Sequence, residues 1–301
     1  MIKQPSQSKA KARLAKLRAE IDRIRYHYHV LNESIVSDSV KDSLQHELQE
    51  LETQYPDLIT PDSPSQRVAG EPAKELTKVQ HSEPMLSMND VFSYDELRDW
   101  EQRIEKVYPT PGVGYEKRYF AELKLDGLSI ALRYQDGRLT AGATRGDGQV
   151  GEDVTHNVRT IEAIPLLLSE NKDAYRRATN NLSKHEITGL DRALKQALRG
   201  EFEVRGEAYI PRADFEAVNQ CRKERGLPLL ANPRNAAAGA IRQLDPKESK
   251  EKQLSFMGFG IARQHEYLST HKLVHHLLDA LGIQTAPAKA VDDLDYVVKF
   301  H

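Results

Sequence analysis

The chain has 301 residues, 39% hydrophobic and 29% charged, with a formal net charge of -2 and a single cysteine, Cys221. That length suffices for two domains and a buried core, and the near-neutral balance excludes a globally basic binder of nucleic acid or membrane. One cysteine excludes an internal disulfide and a cysteine-rich zinc site, while the lack of a membrane-length apolar run or a secretory leader sets the expectation of a cytoplasmic protein.

In chain order, Ala10, Leu14, Leu17, Ile21, Ile24, Tyr28 and Leu31 recur at intervals of four and three, one stripe of an amphipathic helix running to about Asn32. Ser37, followed by Asp38, is the expected N-cap of a second helix with Val40, Leu44, Leu48 and Leu51 on one face. Two such stripes bury each other as a helical hairpin. Pro56, Pro61 and Pro64 then end the helix and read as a linker, so a small all-α domain is expected over residues 1–70. In the remainder, 71–301, a helix is expected over 94–107 and two strands around Gly127 over 118–134. Another strand follows over 139–145, after the hairpin turn Gln135, Asp136, Gly137. This is an α+β pattern with a mostly antiparallel sheet. The polar stretch 169–200 is expected to be a peripheral surface insertion, helical in its later part.

Four stretches carry candidate chemistry. In AELKLDGLSI, residues 121–130, strand alternation puts Glu122, Lys124 and Asp126 on one side and Ala121, Leu123 and Leu125 on the other. A solvated face explains that pattern; a pocket-lining face would instead hold a lysine between two carboxylates, where an amine can act as a nucleophile. In ATRGDGQVGEDVT, glycines around Arg145 permit tight turns and close approach to a ligand, and the guanidinium offers a planar fork to phosphate or ribose oxygens. Their spacing matches neither the dinucleotide fingerprint nor the P-loop, and a plain surface hairpin would look the same. EFEVRGEAYI repeats the alternation, with Glu201, Glu203, Arg205 and Glu207 on one face. Facing the first stretch, it would build a cleft suited to Mg²⁺-assisted reaction on a phosphate. In ANPRNAAAGAIRQLD, Asn232 is a natural N-cap, Pro233 fits the first helical position and residues 236–239 are small enough to pack on a sheet. Arg234 then sits in a first turn that favours an anion, although an incidental arginine on a structural helix fits as well.

Together these stretches resemble the NAD-dependent DNA ligases of bacteria, in their N-terminal adenylation segment. The resemblance runs from about Leu17 to the C-terminal end through YHYHV, ELQELETQYPDLITPDSPSQRV, PMLSMNDVF, ELKLDGLSI, TRGDGQVGEDVTHNVRTI, EVRGEAYIP and ANPRNAAAGAIRQLDP. It implies an ATP-grasp-like nucleotidyltransferase domain of antiparallel sheets and helices, preceded by a helical cap for the nicotinamide mononucleotide (NMN) half of NAD. It makes Lys124 the nucleophile that attacks the α-phosphorus and becomes a lysyl-AMP phosphoramidate. It assigns Glu122 and Arg145 to adenosine and its ribose, Glu207 to the adenylate pocket, Arg234 to phosphate, and Ser87 and Met88 to the nucleotide near the hinge. In the cap it assigns Tyr28, His29, Asp38 and Asp42, with Ser39, Val40 and Lys41 between the aspartates, to the nicotinamide end. NAD and Mg²⁺ are the implied cofactors, with no zinc site in this chain. The implied partner is nicked double-stranded DNA within the full-length enzyme, and a monomer with no membrane association is expected.

A lysine with a reference pKa of about 10.4 must lose its proton to act, by desolvation or a nearby cation, and adjacent carboxylates oppose this. Glu122 and Asp126 are therefore expected to engage ribose or backbone groups instead of the amine. Two departures from the family stand out. Lys41 replaces a usual tyrosine and is expected either to meet a phosphate or, by preference, to face water, and the chain stops at VDDLDYVVKFH, before the strand with a second lysine, as a truncated product would. Two alternatives stay open: a catalytically weak or inactive nucleotide-binding fragment, and an ATP-using relative, against which the cap residues argue.

Overall fold

The computed structural model describes residues 7–31, 33–67, 73–107, 119–262 and 267–300, the side chains of Asp38 and Phe300 excepted. Helix α1 (Gln7–His29) buries Leu14, Leu17 and Ile21 against Leu48 of α2 (Asp38–Gln54), and Leu44, Leu51 and Leu58 close this small core. The expected stripe holds from Ala10 to Ile24 and breaks at Tyr28, which is 51% exposed; Val40, expected on the inner face of α2, is exposed as well. At this end of the hairpin the ammonium of Lys41 lies 5.3 Å from the centroid of the Tyr28 ring, so a cation over an aromatic face replaces apolar contact. Lys41 therefore does not simply face water. Ser37 holds the N-cap position, but its hydroxyl meets Ser39 Oγ at 3.0 Å instead of a backbone N–H. The expected helix end at Asn32 lies outside the described residues.

The proline-rich stretch is packed, not a free linker. Its 3-10 turns, Pro56–Leu58 and Pro64–Gln66, fold back on the hairpin, where buried Glu52 accepts from Arg18 and from Ser63 Oγ, each at 2.6 Å. Arg67, 5% exposed, then donates to the carbonyls of Arg159, Ile161 and Ile164 at 3.0–3.1 Å.

Beyond it come β1 (Lys78–Gln80), α3 (Tyr94–Val107), β2 (Tyr119–Glu122), β3 (Leu128–Gln135), β4 (Arg138–Thr144), β5 (Val150–Glu152) and α4 (Thr155–Val158). The chain continues through α5 (Lys172–Thr179), α6 (Lys184–Arg199), β6 (Glu201–Tyr209), α7 (Arg212–Glu224), α8 (Pro233–Ile241) and α9 (Pro246–Lys250), and ends in β7 (Ser255–Ile261), α10 (His271–Ala280), β8 (Ala288–Val291) and α11 (Leu294–Phe300). A four-stranded sheet in the order β4-β3-β6-β7 is flanked by the two-stranded pairs β1-β5 and β2-β8, every ladder antiparallel. The α+β expectation holds. The β3–β4 turn is as expected: Asp136 and Gly137 both take positive φ, 51° and 77°, which matches the strand twist in a tight hairpin.

Two expectations are corrected. The stretch 169–200 is no surface insertion: Leu190, Ala193, Leu194 and Ala197 of α6 are buried in the main core, on residues spaced by three and four. A capping box between Ser183 and Glu186 starts that helix, a signal plain in the sequence. Nor does 121–130 form one alternating strand. β2 ends at Glu122 in one sheet, residues 123–126 are irregular, and β3 opens in another sheet at Leu128. The crossing is made at Gly127, where any Cβ would collide with the backbone oxygen of Ala208.

Candidate active site

Lys124 is exposed on the irregular segment between β2 and β3, with Leu123 beside it 49% exposed. Opposite lies Glu207, paired with Ser129 across the β3–β6 ladder. Its carboxylate accepts from Gly127 N at 3.1 Å and from Ser129 Oγ at 2.6 Å. Burial raises its pKa, against the pull of those two hydrogen bonds and of the charges on Lys124 and Arg234. Arg234 projects from the first turn of α8, where Asn232 caps the helix by accepting from Asn235 N and Pro233 occupies the first position. Its guanidinium is 3.5 Å from Asp126, both groups exposed. Ala236 and Ala237 of this helix are buried as expected and Ala240 is buried beyond them, whereas Gly239 is exposed and a Cβ there would meet open space.

A cavity of about 520 Å³ adjoins this group, lined by Glu83, Met85, Leu86, Ser129, Arg145, Arg205 and Phe259. Arg145 is fixed through its backbone: its N–H donates to Ser129 O at 3.0 Å and its carbonyl lies 3.1 Å from His81 Nε2. The following turn needs glycine at residues 146 and 148, with φ of 57° and 94°, and Asp147 accepts from the N–H groups of Gln149 and Val150 at 2.8 Å. One wall is a strap of chain. Met85 N donates to Gly148 O at 2.8 Å, and Arg205 donates to the carbonyls of Glu83 and Pro84 at 2.7 and 2.8 Å. The polar face of β6 is thus covered at Glu203 and Arg205 and solvated at Glu201; Glu203 is 7% exposed between Ser82, Arg133 and Arg205. Ser87 and Met88 lie just past the strap, exposed, and do not line the cavity; Met85 and Leu86 do. A second cavity, about 470 Å³ and lined by Gln80, Arg133, Glu201 and Tyr267 among others, holds none of the expected site residues.

Glu122 is placed differently from the expectation. It meets neither Lys124 nor a backbone donor; His275 Nε2 is 2.9 Å and His271 Nε2 3.6 Å from its Oε2. Burial opposes its charge, yet the hydrogen bonds from the two histidines prevail and hold its pKa at about 2. Asp126, too, avoids the amine, facing Arg234 instead. Carboxylates therefore leave Lys124 without a direct partner of the kind that would lock its proton. Among the described residues the same carboxylates are not gathered into one group: Glu207 is hydrogen-bonded to Gly127 N and Ser129 Oγ, Asp126 faces Arg234 and Glu122 two imidazoles. A Mg²⁺ ion at Lys124 would have to draw its oxygens from substrate phosphate and water.

The cap residues form a separate group at the end of α1. Tyr28 lies under Lys41 and edge-on to His29, with ring centroids 4.8 Å apart. Ser39, Val40 and Asp42 are exposed on the first turns of α2, and the side chain of Asp38 lies outside the described residues. Glu162 joins this group to the body of the protein, pairing with Arg67 at 3.3 Å while its carbonyl accepts from Arg25 at 2.9 Å. Burial lowers the pKa of His29 to about 4, with Lys41, Arg25 and Arg67 adding to it against Glu162, and its Nε2 is buried without a hydrogen-bond partner. Because the unfolded ring titrates near 6.5, His29 contributes stability that is complete above that pH and falls away as pH drops toward 4. Asp279, pushed up to about 6 by burial, titrates in the same window with the opposite sign. The urea midpoint of His29→Asn is therefore expected to fall less than that of the native chain between pH 7 and pH 4.5, and an equal fall would contradict it.

Fold and site together define a nucleotidyltransferase-type α+β domain with a small helical domain at its N-terminal side. The chain belongs to the NAD-dependent DNA ligases: residues 73–184 and 176–301 match the NAD-dependent DNA ligase adenylation domain, and residues 7–69 match the DNA ligase-like, N-terminal NAD⁺-binding domain. It is 40% identical over 306 residues to a DNA ligase of Anoxybacillus flavithermus, across 100% of this chain and 40% of the relative. It is 42% identical to a DNA ligase of Carboxydothermus hydrogenoformans, across 96% of this chain and 39% of the relative. With a DNA ligase of Chloroflexus aggregans it shares 46% identity, across 83% of this chain and 34% of the relative. The chain thus spans about two fifths or less of the length of these relatives. Among the described residues no helix is long and apolar enough to cross a membrane.

Proposed function

We propose that the chain carries out the adenylation step of an NAD-dependent DNA ligase, with Lys124 as the nucleophile. The observation that carries this is the exposed amine on an irregular segment beside Glu207, Arg234 and the cavity lined by Ser129 and Arg145. Lys124 Nζ, neutral after losing a proton to water, forms a bond to the α-phosphorus of NAD⁺; the phosphoanhydride bond breaks, NMN leaves with the bonding electron pair, and the new N–P nitrogen loses a second proton to water. Filling the cavity excludes water from the amine, which favours its neutral, nucleophilic form. Arg145 and Arg234 suit the phosphate and ribose oxygens through planar, multidentate donors. Tyr28, His29 and Lys41, with Ser39, Val40, Asp38 and Asp42 around them, are assigned to the NMN half within a domain ending near residue 70. Ser87 and Met88 are assigned to the edge of the nucleotide site. The AMP is then passed to the 5′-phosphate of nicked DNA by the longer enzyme, with Mg²⁺, in the cytoplasm and as a monomer.

The test is to incubate the chain with Mg²⁺ and either NAD⁺ or ATP labelled in the adenylate, then to measure label retained on denatured protein. Label from NAD⁺ alone is the expected result. Label from ATP would move the chain to the ATP-using class, and NAD⁺ binding without label would make it a binding module.

A further inference from the structure

We propose that Glu122, His271 and His275 form a binding site for a borderline divalent transition-metal cation, of which Zn²⁺ is the representative. His271 and His275 are one helical turn apart on α10, so both imidazoles leave the same face of the helix. Both Nε2 atoms approach a single carboxylate oxygen, Glu122 Oε2, at 3.6 and 2.9 Å, and the three donor atoms all lie within 4.8 Å of one another. Tetrahedral coordination with bonds of about 2.0–2.1 Å separates its donors by about 3.3 Å, a value those two distances bracket. Phe120 packs edge-on against both rings, centroids 5.4 and 4.7 Å away, an apolar wall that holds the imidazoles in orientation and limits water.

The donor set chooses the ion. Two nitrogens and one oxygen suit Zn²⁺ or Co²⁺ and not Mg²⁺ or Ca²⁺, which select oxygen. Three protein ligands leave a fourth position for water or an added ligand. The expectation of no zinc site rests on the cysteine count; Glu122 is assigned to adenosine by the resemblance, and spacing alone does not bring it to His271 and His275, 149 and 153 residues further on.

The site has a consequence that rests on the function proposed above. Glu122 lies two residues before Lys124, and a cation held there occupies the carboxylate assigned to adenosine while tying β2 to α10. Zn²⁺ is therefore expected to slow adenylation of Lys124, an effect distinct from binding itself.

The metal-free chain is titrated with Co²⁺, followed by its visible d–d absorption, and then with Zn²⁺ in competition. One saturable equivalent of Co²⁺ in tetrahedral form, displaced by Zn²⁺ and not by a hundredfold excess of Mg²⁺, is expected. His271→Ala and His275→Ala should each weaken it at least tenfold with an unchanged circular dichroism spectrum. His275 is buried, so if its variant fails to fold, the partly exposed His271 carries the test. No saturable binding, displacement by Mg²⁺, binding indifferent to His271→Ala, or a thiolate charge-transfer band from exposed Cys221 would each overturn the site. These readouts involve neither NAD⁺ nor Lys124, so they stand even where the labelling experiment fails.

Discussion

Lys124→Arg is expected to leave no adenylate on the protein after incubation with NAD⁺, while NAD⁺ still binds. Arginine keeps the positive charge and most of the reach, but its guanidinium stays protonated at any accessible pH and offers no lone pair to phosphorus. Charge complementarity with Glu207 is retained, so the substitution separates attraction of the phosphates from attack upon them. The side chain is exposed, so the substitution leaves packing intact and the thermal midpoint should be unchanged. Quantifying retained label beside NAD⁺ affinity by calorimetry decides the matter. Label persisting in the arginine variant would place the nucleophile elsewhere.

Arg67→Ala is expected to destabilise the chain by about 3 kcal/mol, the scale set by emptying a buried cluster of charged hydrogen bonds. Its guanidinium satisfies three carbonyls, of Arg159, Ile161 and Ile164, and pairs with Glu162. Alanine removes this donor from the carbonyls of Arg159 and Ile164, while Ile161 O keeps its bond from Ile164 N, and it takes from Glu162 its ion-pair partner; lysine, with one ammonium in place of a fork, restores only part of the loss. Glu162 also faces Arg25 and His29, so the damage spreads to the junction between the helical hairpin and the sheet domain. Urea denaturation of native, Arg67→Lys and Arg67→Ala chains should rank them in that order, and a loss below about 1 kcal/mol for alanine would show the cluster to be incidental.

The hairpin was legible because helical periodicity is local: Leu14, Leu17, Ile21 and Leu48 are buried as their spacing requires. So was the β3–β4 turn, since Asp136 and Gly137 fit a conformation that few other residues accept. What spacing could not give was partnership. Alternation through AELKLDGLSI implied one strand, because nothing in ten residues announces that Ala208 will crowd Gly127 or that Pro287 will accept from Leu123. The polarity of 169–200 concealed a buried stripe, although Leu190 and Leu194 stand four apart in plain view. In the candidate site, Lys124, Glu207, Arg145 and Arg234 were visible as residue types in unusual company. Met85, Ser129, His271 and His275 were not singled out, since each acquires its meaning from a neighbour far away in sequence.

The pairing of β2 with β8 also sets a schedule for the chain. The hydrogen bond between His275 and Glu122 joins residues 153 positions apart, and the ladder that carries the segment before Lys124 closes later still. Closing so long a loop has a large entropic cost, and such contacts form after local hairpins like β3–β4 have set. During synthesis the central sheet can assemble with the lysine loop still unattached, and the segment before Lys124 is paired only once the strand at residues 288–291 has been made.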